Sequence, residues 1–119
     1  MITLTNTIKA QLEGLGAPVY YFYPQSWARL PVISWREAGN REFAQADGRE
    51  HLAELIYAID IWSESPEVNQ SLTDALDRRI MALRLRRDYL TDLFDARAGL
   101  HHRSLRYRCV ADGAGRIYQ

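Results

Sequence analysis

The sequence predicts an α+β fold. It reads as a two-layer sandwich: an antiparallel or mixed sheet of about four strands, with an N-terminal helix and one long central helix on one face. Three observations predict it. The first is residues 52–66, LAELIYAIDIWSESP, where Leu52, Leu55, Ile56, Tyr57, Ile59, Ile61 and Trp62 crowd together uninterrupted by Gly or Pro. β-branched and aromatic residues dominate, the pattern of a strand covered on both faces. The second is its stop signal. Ser65 is placed to cap the free N–H groups of a following helix, Pro66 fits that helix's first position, and Glu67 complements its positive end. The third is the order of periods along the chain: helix, edge segment, hairpin, helix, hairpin.

Residues 5–15 open the series as an amphipathic helix, with Ile8, Leu12 and Leu15 on one stripe. Gly14 and Gly16 end it, and Pro18 forbids its continuation. Residues 19–23, VYYFY, lie between Pro18 and Pro24 and suit an edge strand or an extended crossing. Residues 25–30 read as loop or a single helical turn. Residues 31–37 form a second strand, which Gly39-Asn40 is expected to break. If that strand pairs antiparallel with 52–62, residues 38–51 become a long charged hairpin loop with Asp47-Gly48 as its turn.

The main helix is predicted over 65–83. Val68, Leu72, Leu76, Ile80 and Leu83 form its apolar stripe, while Glu67, Gln70, Thr73, Asp74, Asp77 and Arg78 mostly face away. At residues 84–94 the period changes to that of a strand, with no clear buried face. A turn ends at Gly99, and 100–110 is the last full strand. There, Leu105, Tyr107 and Cys109 share a face with His101 and Arg103, whereas Arg106 and Arg108 share the other with His102. Residues 112–115 read as a flexible link, and 116–118 as a short final strand or a free tail.

A chain of 119 residues is one domain by size, 1–119. Its 47% hydrophobic content and mean hydropathy of −0.34 fit a folded soluble chain rather than a disordered one. No apolar run reaches the roughly 18 residues of a membrane span, and the N-terminus lacks the pattern of a signal peptide. Cys109 is the single cysteine, so an internal disulfide is excluded and a reducing compartment fits. The net charge of +0 argues against a general nucleic-acid binder. The cations are Arg apart from Lys9, and Arg suits planar contacts to carboxylates at protein interfaces. High-GC codon usage explains that composition equally well.

No catalytic, cofactor-binding or metal-ligating set stands out, and the chain reads as a non-enzyme with no cofactor. His101 and His102 are neighbours on a strand and point to opposite faces, so they cannot share a metal. Cys109 reads as a small buried hydrophobe rather than a nucleophile. Asp60 is the conspicuous polar residue of the apolar run. It is either one half of an ion pair at a subunit interface, with Arg106 or Arg108 as partner, or an exposed residue on an edge strand. Arg78, Arg79, Arg84, Arg86 and Arg87 form the one basic cluster. Asp88, Asp92 and Asp95 follow it closely and favour a self-neutralised surface over a phosphate-binding one. Trp62 reads as core, and Trp35 as a candidate interface anchor.

Four segments in order carry a resemblance: LPVISWREAGN (30–40), IYAIDIWSESPE (56–67), LDRRIMAL (76–83) and YLTDLFDARAGLHHRSLRYRCV (89–110). Together the chain resembles small tail-terminator or tail-to-head joining proteins, the tail-completion or neck proteins of siphophages and prophages. The resemblance implies a structural virion protein of the tail or neck, present in host cytoplasm during assembly. It implies a ring, commonly of six subunits, at the head-proximal end of the tail. Such a ring ends tail-tube growth and joins tail to head. The implied partners are further copies of the chain, the tail-tube protein and the head-closure or connector protein, with no membrane and no specific nucleic acid, although DNA passes through such a ring. Alternatives are another neck protein (head-closure, adaptor or minor capsid), or a small nucleic-acid module using the Arg cluster.

On this reading, the hairpin loop and the edge segment carry the contacts. The expected interface residues are Tyr21 and Tyr23 at the edge, Trp35, Arg36 and Asn40 on the strand, Arg41, Asp47 and Arg49 in the loop, and Asp60, Arg106 and Arg108 on the sheet. One departure from the resemblance stands out. LRLRRD at 83–88 occupies the place where a Gly is expected after the main helix.

Overall fold

The apolar run around Tyr57 lies at the centre of the sheet. In the computed structural model, which describes residues 1–46 and 49–118 (backbone alone for 43–46, 49 and 50), the run forms β3 (Arg49–Ser63). The other elements are α1 (Thr5–Glu13), β1 (Val19–Tyr21), β2 (Val32–Ala46), α2 (Pro66–Ala82), β4 (Arg86–Asp95), β5 (Leu100–Asp112) and β6 (Ile117–Tyr118). The sheet order is β1-β2-β3-β5-β4, with β6 pairing β5 beyond the start of β4. β1 runs parallel to β2 and the remaining pairs are antiparallel, so the sheet is mixed.

The fold is therefore α+β with both helices packed into one core, but the described residues form six strands rather than about four. The edge segment and the C-terminal residues supply the two extra, short strands. β6 forms because residues 112–115 make a tight turn instead of a flexible link. Asp112 accepts hydrogen bonds from the backbone N–H groups of Ala114 and Arg116, and Gly115 takes φ +83°.

The two faces of the sheet are built differently. Ala53, Leu55, Tyr57, Ile59 and Ile61 of β3, with Leu105, Tyr107, Cys109 and Ala111 of β5, form one core with Ile8 and Leu12 of α1 and Leu76 and Ile80 of α2. Among the described residues the opposite face carries no helix. There Ala58 and Trp62 are buried, while Glu54, Ile56 and Asp60 are half-buried, so β3 is fully covered on one side only.

Helix α2 starts where its capping residues place it. The Ser65 hydroxyl accepts from the N–H groups of Glu67 and Val68, and Pro66 takes the first turn. Its buried face is rotated from the expected stripe: Val68 is 39% exposed, whereas Asn69 and Thr73 are buried with Leu76 and Ile80. Thr73 therefore faces inward rather than away. The polar pair is tolerated because its hydrogen bonds are made. Asn69 Nδ2 donates to the His101 carbonyl, Ser63 Oγ donates to Asn69 Oδ1, and Thr73 Oγ1 donates to the Asn69 carbonyl.

The largest correction concerns residues 38–51. Gly39 does not end β2, and the expected hairpin loop is a β-ladder that continues to Ala46↔Arg49. Gly39 sits at a register shift between Glu37 and Gly39, with the Ile56 side chain packed over it; a Cβ there would approach Ile56 Cδ1 to 3.2 Å. Further shifts lie at Glu42/Ala44 and Ala44/Gln45. The glycine is thus a bulge inside a strand. Asp47-Gly48, the expected turn, lies outside the described residues. Two strands of 15 residues at about 3.3 Å per residue reach roughly 50 Å. That hairpin sets the molecule's 52 Å long axis, against 23 and 22 Å across.

Candidate assembly surface

Among the described residues, two different edges of the sheet have no covering strand. On one side β1 pairs with β2 only over Ile33, Ser34 and Trp35. From residue 36 to residue 46, no strand among the described residues lies along the outer side of β2. On the other side β4 is the outermost strand, and every residue in it except Thr91 is exposed. Tyr89, Leu90, Leu93 and Phe94 present apolar surface on both faces of this edge, with Phe94 at 58% exposure. Charge protects part of this edge, through Arg86, Arg87, Asp88, Asp92 and Asp95, but Leu93 and Phe94 near its end leave adjacent apolar surface suited to being covered.

The β4 edge is held in place from below. Arg103 is 9% exposed and points toward α2. Its Nε and Nη2 donate to the two carboxylate oxygens of Asp92 on β4 at 2.8 and 3.0 Å, and its Nη1 donates to Gln70 Oε1 on α2 at 2.7 Å. This bidentate contact ties β4, β5 and α2 together. The guanidinium holds the Asp92 carboxyl below its ordinary range, and Asp92 in turn raises Arg103. Next to it, Tyr107 donates to Asp77 Oδ1 at 2.7 Å and Arg87 pairs with Asp77 at 3.0 Å. Burial, reinforced by Asp77, pushes the Tyr107 phenol well up.

The helix-free face carries an aromatic cluster. Tyr23 and Trp27, from the segment between β1 and β2, pack edge-on against Trp62 at 5.9 and 5.2 Å between ring centroids. His102 stacks on the other side of Trp62 at 3.6 Å, and its Nε2 lies 2.7 Å from Asp60 Oδ1. Trp62 Nε1 donates to Ser34 Oγ at 3.2 Å. Asp60 is therefore on a central strand, and its partner is His102 rather than Arg106 or Arg108. The register places His102 beside Trp62, diagonal to Asp60.

Of the other expected interface residues, Tyr21 and Tyr23 are more than half exposed at the β1 edge. Trp35 is only 4% exposed, packed between Tyr21 and Tyr57 in the core, so it is not a free anchor. Arg36 lies over the Phe22 ring. Asn40 donates to the Ile2 carbonyl at 2.7 Å and so fastens the N-terminal segment to β2. Arg41 is well exposed and 3.6 Å from Glu54. Arg106 lies over the Tyr89 ring, and Arg108 pairs with Asp88 at 2.7 Å and Glu54 at 3.5 Å. Asp47 and the Arg49 side chain lie outside the described residues.

The β4 edge and the Arg103 clamp were not singled out from the sequence. The clamp was legible as a register pair, since Asp92 and Arg103 each lie three residues outward from the pair Asp95↔Leu100. Cys109 is buried, and burial pushes its thiol up to about 11. Among the described residues no group of three His, Cys, Asp or Glu is placed to hold a metal ion, and no helix is long and apolar enough to cross a membrane. No protein-family model matches the chain, and no curated protein matches it.

Proposed function

We propose that this chain is a structural protein of the tailed-phage virion, forming a ring at the head-proximal end of the tail that ends tail-tube growth and joins tail to head. The observation that carries the reading, beside the sequence resemblance, is the pair of unlike free edges: the outer side of β2 over 36–46 and β4 with its exposed Leu93 and Phe94. They lie at opposite sides of one sheet. A contact that joins unlike patches is heterologous, and repeated head to tail it closes into a ring when the rotation permits. Strand pairing supplies the backbone hydrogen bonds, and Leu93 and Phe94 supply the buried apolar area. The β2–β3 hairpin reaches outward and offers its length to the tail tube or to the head connector.

The test is capping. Added to polymerising tail-tube protein, the chain shortens the tubes and leaves a visible ring at one end. A variant carrying Leu93→Asp and Phe94→Asp, folded by circular dichroism, leaves the tubes long. Tubes unaffected by an excess of the unaltered chain would contradict the proposal, and rings bound to the head connector but not to tubes would move it to another ring of the neck. Charge reversal of Arg41 and Arg49 together weakens capping while monomer stability stays nearly unchanged. Equal capping by that double variant removes the hairpin from the contact.

A further inference from the structure

β5 carries two strands on its outer side, and they do not meet. β4 pairs with it as far as Arg108, β6 pairs from Val110, and Cys109 between them has no partner there. This break in the sheet edge opens into a small cavity of about 140 Å³. Its lining includes Arg84, Arg86 and Arg108, with Tyr118 and Glu54. Three arginines thus border a space the size of one tetrahedral anion and too small for a nucleoside; the Glu54 carboxylate at the same wall is matched by Arg108 at 3.5 Å.

One observation sets Arg84 and Arg86 apart from the arginines nearby, and a second concerns Arg84 alone. Arg87, Arg103 and Arg108 each hold a carboxylate. Among the described residues Arg84 and Arg86 have no carboxylate within ion-pair distance, although Asp88 and Asp92 follow in the same segment. Arg84 also stands at φ +77°, directly after the last turn of α2, with its N–H donating to the Met81 carbonyl. Glycine occupies that backbone conformation without steric cost and arginine does not. A side chain kept where the backbone disfavours it points to a role for that side chain.

We infer that this break is an anion site for a phosphate group, held by Arg84 and Arg86; Arg108, paired with Asp88 and Glu54, and Tyr118, whose hydroxyl donates to Asp112, form its wall and are not donors to the anion. Arginine forks match phosphate oxygens in pairs, and both residues are exposed and reachable from solvent. The phosphate is that of a small free anion or of a nucleic-acid backbone. The inference does not depend on ring formation.

The experiment is thermal unfolding of the whole chain with inorganic phosphate against chloride at equal ionic strength, with affinity measured by calorimetry. The unaltered chain gains stability from phosphate beyond that from chloride. Arg84→Gly unfolds at a higher temperature than the unaltered chain in chloride, yet binds phosphate at least about tenfold more weakly, as expected for one lost charge-assisted hydrogen bond. Arg86→Gln loses the phosphate increment as well. A structural role for Arg84 alone predicts an equal phosphate increment in all three chains, and that result, or no phosphate-specific increment at all, overturns the site. Displacement of phosphate by duplex DNA assigns the site to a nucleic-acid backbone; phosphate retained in the presence of DNA assigns it to small anions.

Discussion

Arg84 shows how much one residue can carry. It ends α2 in the left-handed region at φ +77°, where the resemblance leads one to expect Gly. Replacing it by Gly removes the crowding of Cβ against the backbone and gives back part of that gain as unfolded-chain entropy. The net expected stabilisation is about 0.5–1 kcal/mol, read as a higher urea midpoint at unchanged slope. Three buried groups set the response to alkali. Burial pushes up the Tyr57 and Tyr107 phenols and the Cys109 thiol. Their neutral forms are favoured in the folded chain, so the stability they contribute is whole below the unfolded values, 10.0 for tyrosine and 9.0 for the thiol. It is lost as pH rises through the folded values, which for Cys109 is about 11. Urea midpoints should therefore fall from pH 9 upward, and Cys109 should react with a thiol reagent far more slowly than an unfolded control at pH 8. The sequence marked Asp60 as a residue in need of a partner but named the wrong one. His102 was visible only once register and the stacking of Trp62 were known.

At the scale of elements, α2 was the most legible. Its start is written in Ser65, Pro66 and Glu67, and Ser65→Ala should cost about 1 kcal/mol through the lost cap. Leu76→Ala or Ile80→Ala, both at fully buried positions, should cost roughly 2–5 kcal/mol by chemical denaturation. The phase of its buried face was misread because Asn69 and Thr73 look like surface residues. Their burial depends on bonds to Ser63 and to the His101 carbonyl, which come from other elements. The β2–β3 hairpin was truncated for a related reason. Gly39 followed by polar residues reads as a strand end, whereas a bulge with Ile56 packed over it lets the ladder continue.

For the whole molecule, the order of helical and strand segments predicted the α+β class, while the edges depended on strand order, which periodicity does not encode. Placing β3 and β5 at the centre leaves β4 and the outer side of β2 free, and that arrangement is the basis of the proposed ring. A net charge of +0 leaves no long-range repulsion to oppose self-association at neutral pH. The measurement that tests this most directly is mass by light scattering over rising concentration, with negative-stain images, for the unaltered chain and for the Leu93→Asp, Phe94→Asp variant. The account predicts closed rings of about six subunits, alone or on tail-tube ends, and their loss in the variant. A two-fold dimer, or rings that persist with both β4 residues charged, would contradict it.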